Sequence, residues 1–168
     1  FRKAFDSVWH GSIRQALDRE GVPQEMVDVV MKVCSQQKAR VRGQRKHKFV
    51  RVRRGTRQGD PLSPYLFNLV LKDVFMRMRS KWQREGWGLE VQDGKMTHLC
   101  FADDVLLCAA SREQASQMLQ DLVEEAGRDG LAVNWEKTEG LDLQGKCRTP
   151  LTVAVTEGAQ EVEYKSEI

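Results

Sequence analysis

Residues 96–110, MTHLCFADDVLLCAA, set two adjacent carboxylates, Asp103 and Asp104, between two short apolar runs. The runs predict a strand over 96–101 and a returning strand over 105–110, with the carboxylates at the turn between them. Like charges a few ångströms apart repel. A divalent cation relieves that repulsion, and Mg²⁺ suits the pair because it prefers a few carboxylate oxygens together with water and phosphate oxygens. Taken alone, an Asp-Asp pair reads more readily as a solvated hairpin tip. The sequence on either side decides between the two.

Upstream, residues 55–67 read GTRQGDPLSPYLF. Gly55 and Gly59 flank Arg57 and Gln58 just before a helix start, where backbone amides and the helix dipole favour phosphate. Ser63 can cap that helix and Pro64 suits its first turn. The helix runs to about Glu85, turns Leu66, Phe67, Leu69 and Val70 to a core, and ends at Gly86 and Gly88. A short strand over 89–92 and a turn at Asp93-Gly94 lead into the apolar hairpin. Downstream, a helix from Glu113 to about Gly127 places Ala115, Met118, Leu119, Leu122, Val123 and Ala126 on one face. Gly130 caps it, and residues 131–133 are extended. Nearer the start, residues 12–20 form a short helix stopped by Gly21. Pro23 opens another, with Met26, Val30, Val33 and Cys34 as its apolar face. The tail after Lys146 is acidic and weakly patterned.

The net charge of +3 conceals an uneven distribution. Between Asp28 and Asp60 there is no acid, while ten of the 27 basic residues fall within 38–57. The rest of the chain carries 17 basic residues against 24 acids. Val41, and then Val50 and Val52, alternate with Arg40, Arg42, Arg51 and Arg53 around Gly43-Gln44, a two-strand basic ribbon. A block of this kind suits a surface that meets polyanions; its alternative is a merely solvated hairpin face. The apolar run 105–110 is too short to cross a bilayer. Four cysteines without a C-x-x-C pair and three scattered histidines argue against a zinc site or a disulfide framework, and for reduced thiols.

With these blocks in view, the chain resembles the reverse transcriptases, in particular those of LINE-type non-LTR retrotransposons. Lys3-Ala4-Phe5-Asp6-Ser7-Val8 looks like the end of the first palm motif, residues 55–67 like the second and FADD at 101–104 like the third. Gly130-Leu131 with Asn134, Lys137, Thr138 and Glu139 looks like the fourth. Four blocks in order cover nearly the whole chain. The resemblance implies an α+β fold: a right-hand polymerase palm, its antiparallel sheet carrying helices on one face, with the basic hairpin reaching toward the fingers. It implies RNA-directed DNA polymerisation by two-metal catalysis, with an RNA template, a DNA primer and dNTPs as partners and Mg²⁺ as cofactor.

Carried over position by position, Asp103 and Asp104 would be the catalytic, metal-binding carboxylates. Lys3 and Ala4 would offer amides to the triphosphate, and Phe5 would exclude a 2′-hydroxyl, with a core phenylalanine as its alternative. Gln58 and Gly59 would contact the incoming nucleotide. Lys137 would protonate pyrophosphate, unless it is an ordinary surface lysine. Arg40, Arg42, Arg51, Arg53 and Arg57 would meet nucleic acid.

The family's first motif reads D-x-x-K-A-F-D, which places its leading Asp one position before Phe1. Asp6 takes the second acidic position and reads as structural, pairing or capping near Trp9 and His10. The resemblance therefore implies that 1–168 is a partial domain, palm with part of the fingers. The first palm strand, the N-terminal fingers and the thumb would be supplied by the remainder of a larger retrotransposon polyprotein. Such a piece is expected to be inactive by itself, marginal in stability and prone to associate through an open sheet edge. A nuclear location is implied for the parent. Two alternatives remain at this point: an intron-type maturase or other cellular reverse transcriptase, and a non-catalytic nucleic-acid-binding remnant.

Overall fold

The computed structural model describes residues 1–42, 47–57, 59–142, 150–155 and 158–165. It is an α+β chain of five α-helices and ten short strands among those residues. The helices are α1 Ala4–Ser7, α2 His10–Arg19, α3 Gln24–Ser35, α4 Ser63–Arg84 and α5 Arg112–Gly127. The strands are β1 Lys38–Arg42, β2 His47–Arg51, β3 Leu89–Val91, β4 Gly94–Met96, β5 His98–Phe101, β6 Asp104–Leu107, β7 Gly140–Leu141, β8 Leu151–Val155, β9 Gly158–Val162 and β10 Tyr164–Lys165.

Helix α4 is the spine. Its buried residues include Phe67, Val70, Val74, Met78 and Trp82, and it packs on both α2 and α5. From α2 come Ile13, Ala16 and Leu17; from α5 come Met118, Leu119, Leu122 and Ala126, on the face the periodicity predicts. Trp82 is 1% exposed, and its indole N–H donates to Asp121 Oδ2 at 2.9 Å, so the most deeply buried polar hydrogen of the core has its acceptor. The Gly130 end of α5 agrees with the sequence reading, and Ser111 caps its start, which that reading did not include. The Ser111 side chain accepts from the Gln114 amide, and Gly130 sits at φ +81°. Its N–H bonds Gly127 O while that of Leu131 bonds Ala126 O, the paired arrangement of a Schellman end.

Several expectations shift. A continuous antiparallel sheet is not formed among the described residues. There are five two-stranded pairings instead, of which β7–β10 is parallel. The strand expected over 96–101 splits at Thr97, because β4 folds back on β3 while β5 pairs with β6. The turn of the β3–β4 pair is Gln92-Asp93, one residue earlier than expected, since Val91 pairs with Gly94. On α3 the buried stripe is Val27, Val30, Met31 and Cys34, while Met26 and Val33 are exposed, because this is the stripe that α3 turns to the body as it packs on α2. Ser63 does not cap α4. Its hydroxyl donates to Arg57 O at 2.6 Å, and the Asp60 carboxylate takes the Leu62 amide at 2.9 Å.

The tail also departs from the reading of weak patterning. Strands β8 and β9 form a hairpin that buries Leu151, Val153 and Val162 against the body, and β8 lies on α5. Ser116 Oγ ties the hairpin down through Thr152 O at 2.6 Å. Cys34, Cys100 and Cys108 are free thiols, and burial pushes each upward in pKa; Cys147 lies outside the described residues. No described helix is long and apolar enough to cross a membrane.

Candidate active site

Residues 1–9 are the thread on which the other motifs hang. Lys3 adopts a left-handed conformation at φ 47° and leads into α1, which turns the chain sharply after the first strand-like residues. Thr56 N–H then donates to Phe5 O at 2.7 Å and Gly55 N–H to Val8 O at 2.6 Å. His10 Nε2 faces Gly55 O at 3.0 Å, and Trp9 forms an isolated antiparallel bridge with Arg54. Gly55 is required here on two counts. Its φ is +85°, and a Cβ would stand 2.6 Å from the Asp6 carbonyl oxygen. The fourth block joins the same thread through Arg2 N–H to Ala132 O at 2.8 Å and Trp9 N–H to Asp129 O at 3.1 Å.

The carboxylate hairpin meets this assembly at the start of the chain, where the Phe1 amino group donates to Asp103 O at 3.3 Å. In the hairpin Phe101 pairs with Asp104, leaving Ala102 and Asp103 as a two-residue loop. Ala102 takes φ 52°, unusual for a residue with a Cβ. The turn thus sits one residue earlier than the sequence implies, and Asp104 belongs to β6. Asp103 is half-buried and Asp104 exposed. At the root of the hairpin His98 stacks on Phe75 of α4, with ring centroids 3.8 Å apart, and meets the edge of Trp82. Burial holds the His98 pKa below its ordinary value, and Thr97 Oγ1 lies 2.9 Å from its Nδ1. The opposite face carries Leu99, Phe101 and Leu106, of which Phe101 is 85% exposed.

Of the remaining expected site residues, Phe5 is half-buried and its ring lies 4.9 Å from that of Phe67, so one side chain serves both the core and the site. Ala4 is buried and Lys3 exposed. Gly59 has φ +87° in the exposed turn closed by Asp60 N–H to Arg57 O at 3.1 Å. Gln58 lies outside the described residues, as do the side chains of Arg40 and Arg42. Arg51, Arg53 and Arg57 are exposed and form no ion pair among the described residues. Lys137 is exposed on a 3₁₀ turn over Trp135–Lys137 and is not drawn into the cluster by any hydrogen bond of its side chain among the described residues. Asp6 acts through its backbone under Gly55; the expected partnership with His10 is replaced by the His10–Gly55 contact.

Asp103 and Asp104 are hard oxygen donors of the kind Mg²⁺ accepts. Among the described residues no group of three His, Cys, Asp or Glu side chains comes together to hold a metal. The reading from sequence passed over Trp9 and Arg54. Their signal is a tryptophan placed between the first motif and a helix, beside the end of the basic block.

The match to a known family rests on nearly the full length. The model for reverse transcriptase (RNA-dependent DNA polymerase) covers residues 1–164. The chain belongs to the reverse transcriptase family. Among curated proteins, it is 37% identical over 168 residues to a Retrovirus-related Pol polyprotein from type-1 retrotransposable element R2 of Nasonia vitripennis, covering 99% of this chain and 15% of that protein. A polyprotein of the same description from Popillia japonica is 32% identical over 160 residues, covering 94% and 20%. That from the type-2 retrotransposable element R2DM of Drosophila melanogaster is 32% identical over 153 residues, covering 90% and 14%. This reverse transcriptase chain thus spans about a fifth or less of these relatives, and the retrotransposon resemblance is borne out.

Proposed function

We propose that the chain forms palm, with part of the fingers, of an RNA-directed DNA polymerase that extends a DNA primer on an RNA template from dNTPs. One observation carries the reading. The first, second and fourth blocks are bonded backbone to backbone around residues 1–9, and the Phe1 amino group brings Asp103 to the same thread. A nucleotide site needs such convergence, because chemistry on a triphosphate depends on positioning to within an ångström.

In this reading Asp103 and Asp104 would hold Mg²⁺. When bound, the metal activates a primer 3′-hydroxyl and neutralises charge on the leaving pyrophosphate. Phe5, fixed by Phe67, would stand beneath the incoming sugar, where a rigid ring leaves no room for a 2′-oxygen. Lys3 and Ala4 would present amides at the start of α1, Gln58 and Gly59 would border the nucleotide, and Lys137 would deliver a proton to pyrophosphate. Arg40, Arg42, Arg51, Arg53 and Arg57 would hold template or primer phosphates on the hairpin reaching toward the fingers. Two carboxylates are a sparse donor set, and the exposed Asp6, held by its backbone beneath Gly55, joins no group of three donors among the described residues. The 168 residues alone are then inactive, and the remainder of a polyprotein completes the site.

Primer extension on an RNA template with Mg²⁺ tests this. A longer polyprotein containing the domain is expected to extend the primer, and Asp103→Ala to lower the rate by about 10²–10³-fold or more. Template-dependent synthesis by the isolated 168 residues, abolished by Asp103→Ala, would overturn the assignment of an incomplete site. A second reading, nucleic-acid binding without catalysis, is favoured by Arg51, Arg53 and Arg57, which have no carboxylate partner among the described residues. It predicts steep salt dependence of binding and no extension by the longer protein.

A further inference from the structure

We infer that Trp9 is a stacking platform for a base of an unpaired nucleic-acid strand whose phosphates run along Arg51, Arg53, Arg54 and Arg57. The inference rests on the reading of the basic ribbon as a nucleic-acid surface and adds to it a contact that reads the strand's single-stranded state.

The first observation is exposure. Trp82 is buried, and Trp87 and Trp135 pack against the core, but Trp9 is 56% exposed. A tryptophan left in water forgoes a large share of the stabilisation its ring could supply by burial. Yet Trp9 is not loose. Its N–H donates to Asp129 O, and its carbonyl accepts the Ser12 and Ile13 amides at the start of α2. Gly130 lies directly against the ring, where a Cβ would come within 1.9 Å of Cδ1 and 2.1 Å of Nε1. The Cδ1–Nε1 edge of the indole is therefore seated on glycine backbone, while more than half of the residue faces solvent. Because the ring is fixed before a ligand arrives, little conformational entropy is lost on stacking.

The second observation is what surrounds it. Trp9 and Arg54 are bridge partners, and directly opposed residues send their side chains to the same face. Arg54 is thus directed to the same face of the bridge as the indole, and Arg51, Arg53 and Arg57, all exposed like it, lie within three residues of it along the chain. None of the four has a carboxylate partner among the described residues, and the cation–π contact found among them belongs to Lys81 and Trp87, not to Trp9. An open aromatic face beside uncompensated guanidinium groups matches a polyanion that offers flat rings. A single strand offers both; a duplex keeps its bases stacked inside.

The test uses the whole 168-residue chain and fluorescein-labelled single-stranded oligonucleotides of ~12 residues, about the span such surfaces cover. RNA, DNA, an abasic strand and a duplex of equal length serve as arms. Wild type is expected to bind RNA or DNA single strands with a steep salt dependence between roughly 50 and 200 mM. Trp9→Ala is expected to weaken that binding about five- to hundredfold with the salt slope unchanged, Trp9→Phe to retain most of it, and duplex binding to be insensitive to both. The abasic strand should not distinguish wild type from Trp9→Ala. Equal binding by wild type and Trp9→Ala, while Arg53→Ala still lowers the salt slope, would overturn the stacking role and leave the ribbon reading standing. Binding by wild type that ignores salt would overturn the ribbon reading itself. If both Trp9 variants lose binding in step with a loss of helical signal on melting, Trp9 is a packing residue over Gly130 and the inference fails.

Discussion

On the helical body, cations meet carboxylates. Arg19 reaches Asp73 at 2.6 Å, Lys81 reaches Asp121 at 2.6 Å, and Arg77 bridges Glu125 and Asp129 between α4 and α5. On the ribbon and the loop after it, Arg51, Arg53, Arg54 and Arg57 stand in water without such partners among the described residues. The residue type is the same and the use is opposite. Body cations neutralise carboxylates that folding has largely removed from water, with Asp121 and Asp129 each 9% exposed. Among the described residues these four cations have no carboxylate to neutralise, so their field is directed outward. Charge alone therefore does not separate the two regions of this molecule; the presence or absence of a described carboxylate partner does, and it is on that difference that the proposed nucleic-acid surface rests.

Substitutions can break or sharpen that contrast. The largest effect is expected in the body from Trp82→Ala, which opens a cavity in α4's packing and removes the indole partner of Asp121. Urea denaturation should record a loss of about 3–5 kcal/mol. Gly55→Ala, which forces a Cβ onto the Asp6 backbone at φ +85°, should cost about 1–3 kcal/mol by the same measurement and disturb the junction of the first two motifs. Arg77→Ala leaves Asp129 and Glu125 without their shared guanidinium and should cost about 1–3 kcal/mol. Arg53→Ala, by contrast, should alter stability by no more than about 0.5 kcal/mol, yet reduce the salt slope of nucleic-acid binding by about one. Equal stability losses from Arg77→Ala and Arg53→Ala would erase the distinction between the two regions.

The smallest effect concerns pH. The His98 pKa is held down by burial against Phe75 and Trp82, so the unfolded chain binds the proton more readily. Stability contributed by neutral His98 is full above its ordinary pKa of about 6.5. It declines as pH falls toward and through the lowered folded value. Thermal melts over that range should show the decline in wild type and a flatter profile in His98→Phe.

Much of the architecture was legible because local chemistry carried it. The apolar periodicity of α4 and α5, the Gly130 end of α5, and the basic alternation of β1 and β2 all arise within a few residues of one another in sequence. The motif order likewise pointed to the family before any geometry was known. Partnerships between distant residues were less legible. Nothing local reveals how α3 docks on α2, so its buried stripe turned from Met26 and Val33 to Val27 and Met31. The alternation of Leu151, Val153 and Val155 was present in the tail, but an acidic background concealed it until α5 supplied a surface to cover.

The sequence by itself determined the chemistry on offer: two adjacent carboxylates, glycines before a helix, a cation block and the family to which these belong. Residue types and short spacings set those properties. Tertiary structure alone decided which groups share a location. It hung three motifs on residues 1–9 through backbone hydrogen bonds, assigned Phe5 to Phe67, and paired body cations with acids some 40 to 54 positions away. It also left Trp9 exposed beside Arg54. Such contacts depend on how packed elements bring remote segments within a few ångströms, and no local pattern encodes that distance.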